Sequence, residues 1–472
     1  MADNQNTQSP ELSKWAERMQ MNRDFIAGQD AVKSRARAIH YMPLPAAGMT
    51  DADYTSYLKR VAFFPAASRV HDGCVSLIFR KDPILESPTL QAVKDIITQN
   101  GDSLETFSDE VVSETLTTDY FAILVDHPAD MPTGLNAANA IALNWRPFLA
   151  GYPFESILDF KQGLVNGLKG YTYVKLRDTA HQYRELRLVD GIYTVTIHRE
   201  GEGGEYEQAS SHTPRRLGKP LDFIPFEIIK RHNGPLPKKA LLEDVVNINA
   251  SHYIQEGDLS QALYNCSGPQ KVVINAARQK NPDGTDKERN EYPAGSHVVW
   301  ELSGENVNVD FLEFTGAGVL SIREQQKELK SQMSAVGSRI LADEKAVAEA
   351  AETLEIRRTS ENATLAGVTR TIMRKMEKVL RWMAWWMGAE SKEDPETRFT
   401  LNLDFTPAKT TPLELAAYTA AIQAGIMTKE QVFYLIRDGG LLADTITFDA
   451  YSSGLAAERI DEPTALTTSR EL

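Results

Sequence analysis

From about Lys345 to Gly388 the chain runs with helical composition and no internal proline. At 1.5 Å per residue such a helix would be roughly 60 Å long if unbroken. Globular helices usually run 8–20 residues, and no steady a/d heptad seam makes this one a coiled coil. A helix of this length spans a large assembly or braces several modules. Gly367 is the one expected kink point.

The rest of the chain has to supply what such a brace holds. Residues 1–12 read as a loose tail, and Glu11 to Ala38 is helical around Trp15, Met19, Phe25 and Ile26, interrupted at Gly28. Two helices follow, Asp51 to Phe64 and AASRVHDGCVSLIF, the second with Val70, Cys74, Leu77 and Ile78 on one face. Leu90 to Asn100 and Ser103 to Leu116 read as further amphipathic helices, before a short apolar strand, YFAILVDHP. Between Asn144 and Arg231 the period changes from 3.6 to 2, with strands at Ser156–Phe160, Gly170–Arg177, Tyr183–Val189, Gly191–His198 and Phe226–Lys230. A β-rich module inside a helical protein makes the fold class α+β.

Beyond it lies a helix, Leu241 to Tyr264, stopped by Gly268-Pro269. A compact β section then holds QKVVIN, HVVWEL and VNVDFLEF, with Pro282-Asp283-Gly284 suiting an exposed hairpin tip. Gly316 to Ser334 returns to helix, and an irregular passage around Gly337 to Asp343 leads into the long one. The strand RFTLNLDF and a helical pair, Pro412–Ala424 and Thr428–Arg437 joined at Gly425, precede a polar end that reads as mobile.

Composition narrows the chemistry. Hydrophobic residues make up 42% and charged ones 25%, which excludes wholesale disorder. A net charge of −14 disfavours extensive wrapping of nucleic acid through its phosphates. Cys74 and Cys266 are too few for a disulfide framework and read as small buried residues. The polar start MADNQNTQSPELSKW has no apolar leader, and no stretch approaches a membrane span, so a soluble protein is expected.

No phosphate-binding loop, HExxH or Gly-x-Ser-x-Gly elbow occurs, and the nine histidines form no i, i+4 pair. Neither a catalytic residue, a cofactor nor a metal is therefore expected. The loop around Asn281–Asp286 fails as a calcium site, because its twelfth position falls on Asn290 rather than on glutamate. Asp126-His127 has no nucleophile beside it and reads as a capped turn. Trp382, Trp385 and Trp386 share one helix face, which suits core packing, with a subunit interface as the alternative. Along the same helix Arg357, Arg358, Arg370, Arg374, Lys375, Lys378 and Arg381 give an excess of positive charge. They form either a solvated face or one that meets DNA or a neighbouring subunit.

The serial order of these parts resembles the portal (head-to-tail connector) proteins of tailed bacteriophages. FFPAASRVHDGCVSLIFRKDP, ILVDHP, YPFESILDFKQGLVNG and AAETLEIRRTSENATLAGVTRTI are similar to a podovirus-like branch of them. The resemblance implies a wing over residues 13–240 (helical 13–143, β-rich 144–240), stem helices over 241–265 and 316–336, and a clip over 266–315. It further implies a tunnel loop over 337–345, a long wing helix and strand over 346–410, a crown over 411–450 and a flexible tail over 451–472. Arg339, Asp343, Glu344 and Lys345 would be the charged members of the tunnel loop. Arg357, Arg358, Arg370, Arg374 and Lys378 would form a channel or inter-subunit face, and Asp283, Asp286, Lys287 and Arg289 the clip tip that docks partners.

Also implied are a homo-oligomeric ring, in that family typically of about twelve subunits closed by a heterologous interface, and double-stranded DNA passing through it. The further partners would be a terminase motor, scaffolding or capsid protein and a tail adaptor, with no membrane. The place would be the virion's portal vertex, reached from the host cytoplasm during assembly. Two other readings remain: a different non-enzymatic virion assembly or adaptor protein, and an enzyme with its site in the β-rich module.

Overall fold

The computed structural model describes residues 6–34, 37–44, 49–128, 145–232, 234–266, 271–274, 282–283, 299–302, 317–338, 351–403, 405, 412–438, 442 and 446–460. The chain divides into two compact units, Met1–Leu403 and Asp404–Leu472.

In the first unit the helices are α1 (Pro10–Ser13), α2 (Ala16–Ala27), α3 (Gln29–Val32), α4 (Ala38–Tyr41), α5 (Asp51–Arg60), α6 (Ala66–Ile78), α7 (Leu104–Thr118), α8 (Glu243–Cys266), α9 (Ala317–Ser338) and α10 (Ala351–Met387). Its longer strands form two antiparallel sheets, and the fold is mixed α+β. One sheet has five strands in sequential order: β4 (Ile157–Val165), β5 (Leu168–Thr179), β6 (Gln182–Val189), β7 (Ile192–Glu200) and β8 (Tyr206–His212). The other has three in the order β11 (Phe226–Ile229), β2 (Phe121–Asp126), β3 (Phe148–Pro153). Every residue of β2 and β11 is buried, so this small sheet is the centre of the core. β11, read in sequence as continuing the β-rich module, pairs instead with β2.

Three short antiparallel or parallel pairs complete the sheets. β1 (Ile84–Glu86) pairs with β14 (Arg398–Thr400), β9 (Arg215–Arg216) with β10 (Lys219–Pro220), and β12 (Lys271–Ile274) with β13 (Val299–Leu302). The last pair is parallel, which corrects the expected hairpin: parallel strands need a crossover of a dozen or more residues, and the 275–298 connection is long enough. The strand expected over VNVDFLEF lies outside the described residues.

Two other expectations change. Leu90 to Asn100 is a series of turns with one 3₁₀ turn at Lys94–Ile96 rather than a helix. Leu90, Val93 and Ile97 are buried, but the Ile97 and Thr98 amides turn back to the Asp102 carbonyl, and Thr98 bridges to Leu149. The N-terminal segment is tied down from Asn6 onward: its side-chain amide donates to the Thr179 and Ala180 carbonyls at 3.2 and 2.9 Å. Leu12 is fully buried. Gly28 does end α2, with a φ of 100° that a side chain would strain.

The second unit holds α11 (Pro412–Gln423), α12 (Lys429–Asp438) and α13 (Phe448–Ile460). Gly425, at φ 71°, closes α11, with the Ile426 amide reaching back to the Ala421 carbonyl. Thr428 and Gln431 form a reciprocal capping box at the start of α12. Phe433 packs on Phe448 and Tyr451 of α13, so the tail expected from residue 451 is helical as far as Ile460.

Candidate functional site

Helices α8 and α9 lie side by side. Gln326 of α9 donates to Glu256 of α8 at 2.7 Å, and Lys330 raises the electrostatic cost of charging His252. As position rises by four on one helix it falls by four on the other, so α8 and α9 run antiparallel. On α9 the buried side chains Val319, Gln326 and Met333 recur every seven residues, a narrow seam beside the half-buried Ile322 and Leu329. α8 is buried more broadly, through Val245, Val246, Asn249, Tyr253 and Leu259.

α8 is locked to the body at two places. Asn249 accepts from the Ala67 amide at 3.1 Å and donates to the Phe64 carbonyl at 2.9 Å. Pro65 precedes α6 and offers no side-chain cap, so α8 supplies one from outside. About two turns further along, Gly257 lets α8 approach α5 and the α4–α5 connection: a Cβ there would stand 2.3 Å from the Tyr57 hydroxyl and 2.5 Å from the Met42 sulfur. Beside these sits His252, almost wholly buried, against the Phe64 ring, with neither ring nitrogen hydrogen-bonded. Burial, with Lys330 nearby, pushes its pKa down to about 4.

α10 runs 37 residues, continuing as helix through Gly367. Leu365, Val368, Ile372, Met376, Val379, Leu380 and Met383 are buried on one stripe. That stripe packs on α7, β2, β11 and β14. Its basic residues divide by what they face. Lys375 and Lys378 both pair with Glu227, a buried carboxylate on β11, the latter at 2.7 Å. Arg381 pairs with Glu377 at 2.6 Å and donates to the Thr397 carbonyl at 3.1 Å. Arg370 and Arg374 are exposed. Arg357 and Arg358 lie in the first turns of α10.

Glu227 is the residue that sequence reading overlooked. Its signal was present: one acid inside the apolar run Ile-Pro-Phe-Glu-Ile-Ile, opposite a helix with lysines one turn apart. Close by, Lys230 has its pKa pushed down to about 8, first by burial and then by Lys375.

The tryptophans at the end of α10 pack within the chain. Trp382 and Trp385 flank Phe223, with ring centroids 5.5 and 5.9 Å away, and Trp386 donates to the Arg215 carbonyl. Arg216 donates to the Trp385 and Ala389 carbonyls at 2.7 and 2.8 Å, a cation at the helix C-terminus. Asp126 accepts from the His127 amide and from Arg184, and His127 stacks on Trp386, which makes this turn structural.

Most of the remaining sequence candidates lie outside the described residues. Asp283 lies in a two-residue turn, and Asp286, Lys287 and Arg289 fall outside the described residues. So do Arg339, Asp343, Glu344 and Lys345. Among the described residues no group of His, Cys, Asp or Glu could hold a metal ion, and no helix is long and apolar enough to cross a membrane.

A family model described as a domain of unknown function, DUF4055, matches residues 241–387, under a third of the chain. That window begins just before α8 and ends with α10. No curated protein matches the chain. Among solved structures, a chain from the neck of an empty gene transfer agent (GTA) particle, computed with C6 symmetry, is 11% identical. It covers 87% of this chain and 98% of its own, at a TM-score of 0.37. A chain from the virion of a native GTA particle is 13% identical over 84% of this chain and 94% of its own, at 0.36. One from the neck of a native GTA particle, computed with C12 symmetry, is 13% identical over 85% and 97%, at 0.34.

Proposed function

We propose that this protein is a subunit of a ring-shaped head-to-tail connector at one vertex of a phage-like capsid. Double-stranded DNA passes through the ring during packaging and ejection, and tail or adaptor proteins attach to it. The subunit does no chemistry of its own, and the packaging motor is a separate protein.

One observation carries this reading. The antiparallel pair α8–α9 is joined through the β12–β13 strand pair and followed by a 37-residue helix anchored along the body. A narrow buried seam on α9, with Leu320 left 60% exposed, suits a helix with neighbours on one side only within the monomer. Strands β12 and β13 form a two-stranded sheet, which is marginal by itself and gains stability by packing on or pairing with a neighbour. The net charge of −14 suits a conduit, since many fixed cations would hold phosphates and stall passage.

Native mass spectrometry together with negative-stain images of the purified chain tests this. Closed rings of about a dozen copies with a central hole are expected. A protein that stays monomeric or dimeric at every concentration, and with capsid and scaffold present, would overturn the proposal.

A further inference from the structure

Three two-residue hairpin turns in the β-rich module have nearly the same backbone. Asn166-Gly167 has φ 52° and 80°, Asp190-Gly191 50° and 76°, and Leu217-Gly218 47° and 80°. Positive φ at both central residues is the hairpin geometry that Asn-Gly and Asp-Gly favour. The first two turns follow that rule. The third places leucine in the left-handed region, where a bulky side chain is strained.

Leu217 gains nothing inside the chain for this strain, since it is 85% exposed. It also has exposed apolar company. The β4–β5 and β6–β7 turns lie at the same end of the five-stranded sheet, because strand direction alternates. Leu164 and Leu168, 82% and 72% exposed, flank the first of them. The β9–β10 hairpin is tied to that end by the Tyr193 amide on the Leu221 carbonyl and by Asn166 on Asp222, both at 2.9 Å. Exposed Lys169, Arg215 and Lys219 lie beside these leucines.

The opposite end of the same sheet is complementary. There the β7–β8 turn reads Glu-Gly-Glu-Gly-Gly-Glu over residues 200–205, with Glu207 next to it on the edge strand β8. Gly203 has open space where a Cβ would be, and Gly204 has φ 77°. Glu200 pairs with His181 at 2.6 Å, and the bare backbone between Glu202 and Glu205, with Glu207 beyond, leaves room for an apolar knob that carries cations at its rim.

The geometry points to a head-to-tail contact between copies of this chain, in which the Leu217 tip, with Leu164 and Leu168, docks on the acidic glycine turn of the next copy. This rests on the ring reading above and names one of its interfaces. Two different patches meeting is the heterologous arrangement that closes into rings.

Leu217→Asn separates folding from assembly, because asparagine suits the left-handed turn. The monomer is expected to gain in urea midpoint while self-association weakens by at least about ten-fold in Kd, read by sedimentation velocity. Arg215→Glu with Lys219→Glu in one preparation, and Glu202→Lys with Glu205→Lys in another, should each abolish assembly alone. Mixed in equal amounts, the two should assemble again. Wild-type rings with all these variants assembling equally well would overturn the contact and leave the ring reading intact. A wild type that never assembles would overturn both. Variants that form normal rings but lose a wild-type affinity for phosphatidylglycerol vesicles would assign the tips to an anionic lipid surface instead, and overturn the proposal.

Discussion

Replacing Asn249 by alanine is expected to loosen the joint between α8 and α6 by about 2–3 kcal/mol. The side chain is fully buried and makes two hydrogen bonds, to the Ala67 amide and the Phe64 carbonyl. Ala67 is the second residue of α6 and has no intrahelical acceptor, so truncation strands a buried donor at a cost of about 2 kcal/mol. The Phe64 carbonyl also accepts from the Ala66 amide, so its loss is smaller, about 1 kcal/mol. Against these, alanine improves the intrinsic helix propensity of α8 by roughly 0.5 kcal/mol. Urea unfolding read by circular dichroism gives the change in midpoint, and hydrogen exchange at the Ala67 amide locates it. A loss under about 0.5 kcal/mol, with protection of that amide unchanged, would refute the idea that α8 caps α6.

Two glycines inside helices should respond with opposite signs. Gly367→Ala meets open space and should stabilise by about 0.5–1 kcal/mol, whereas Gly257→Ala meets the Tyr57 hydroxyl and the Met42 sulfur and should cost about 1–3 kcal/mol, both read as urea midpoints. His252 is held neutral in the fold, with its pKa down to about 4 against roughly 6.5 when unfolded. The unfolded chain therefore binds the extra proton, and stability falls as pH drops from about 6.5 toward 4, by up to about 3 kcal/mol. His252→Phe should flatten that part of the pH profile. Glu227→Gln removes the buried partner of Lys375 and Lys378, and because both lysines are partly exposed the expected loss is only about 1–2 kcal/mol.

The elements legible in the sequence were those whose periodicity is local. The long helix, α8, α9 and strands β5 to β7 announce themselves through their apolar spacing. Failures came where a partner distant in sequence decides the outcome. Leu90 to Asn100 has helical spacing, yet the Ile97 amide is taken by Asp102 and Arg146 reaches the Ile96 and Thr98 carbonyls. Residues 6–12 look like a tail until Arg177 and the Thr179 carbonyl are seen to hold Asn6. Parallel pairing of β12 with β13 cannot be told from a hairpin by pattern alone, because both need the same two apolar strands. Leu217 was hidden for a different reason: its exposure and its backbone conformation are both properties of the folded chain.

The basic residues of α10 show how position, rather than count, sets what a helix can hold. Seen in sequence they form a single positive run, which would suggest a strong grip on phosphate. In the fold Lys375 and Lys378 neutralise one buried glutamate, and Arg381 is shared between Glu377 and a backbone carbonyl. Taking both lysines to phosphates would strand Glu227, and taking Arg381 would unpair Glu377, so their charge is spent on fastening the helix to β11 and β14. Among the described side chains of the run, Arg370 and Arg374 are left facing solvent without an acidic partner. Each phosphate neutralised contributes a slope of about −0.9 to the salt dependence of binding, so two such arginines per chain would give a contact that physiological salt weakens strongly. In the conduit proposed above, only Arg370 and Arg374 of these residues would be free to meet a phosphate, and the cations that fasten α10 would not.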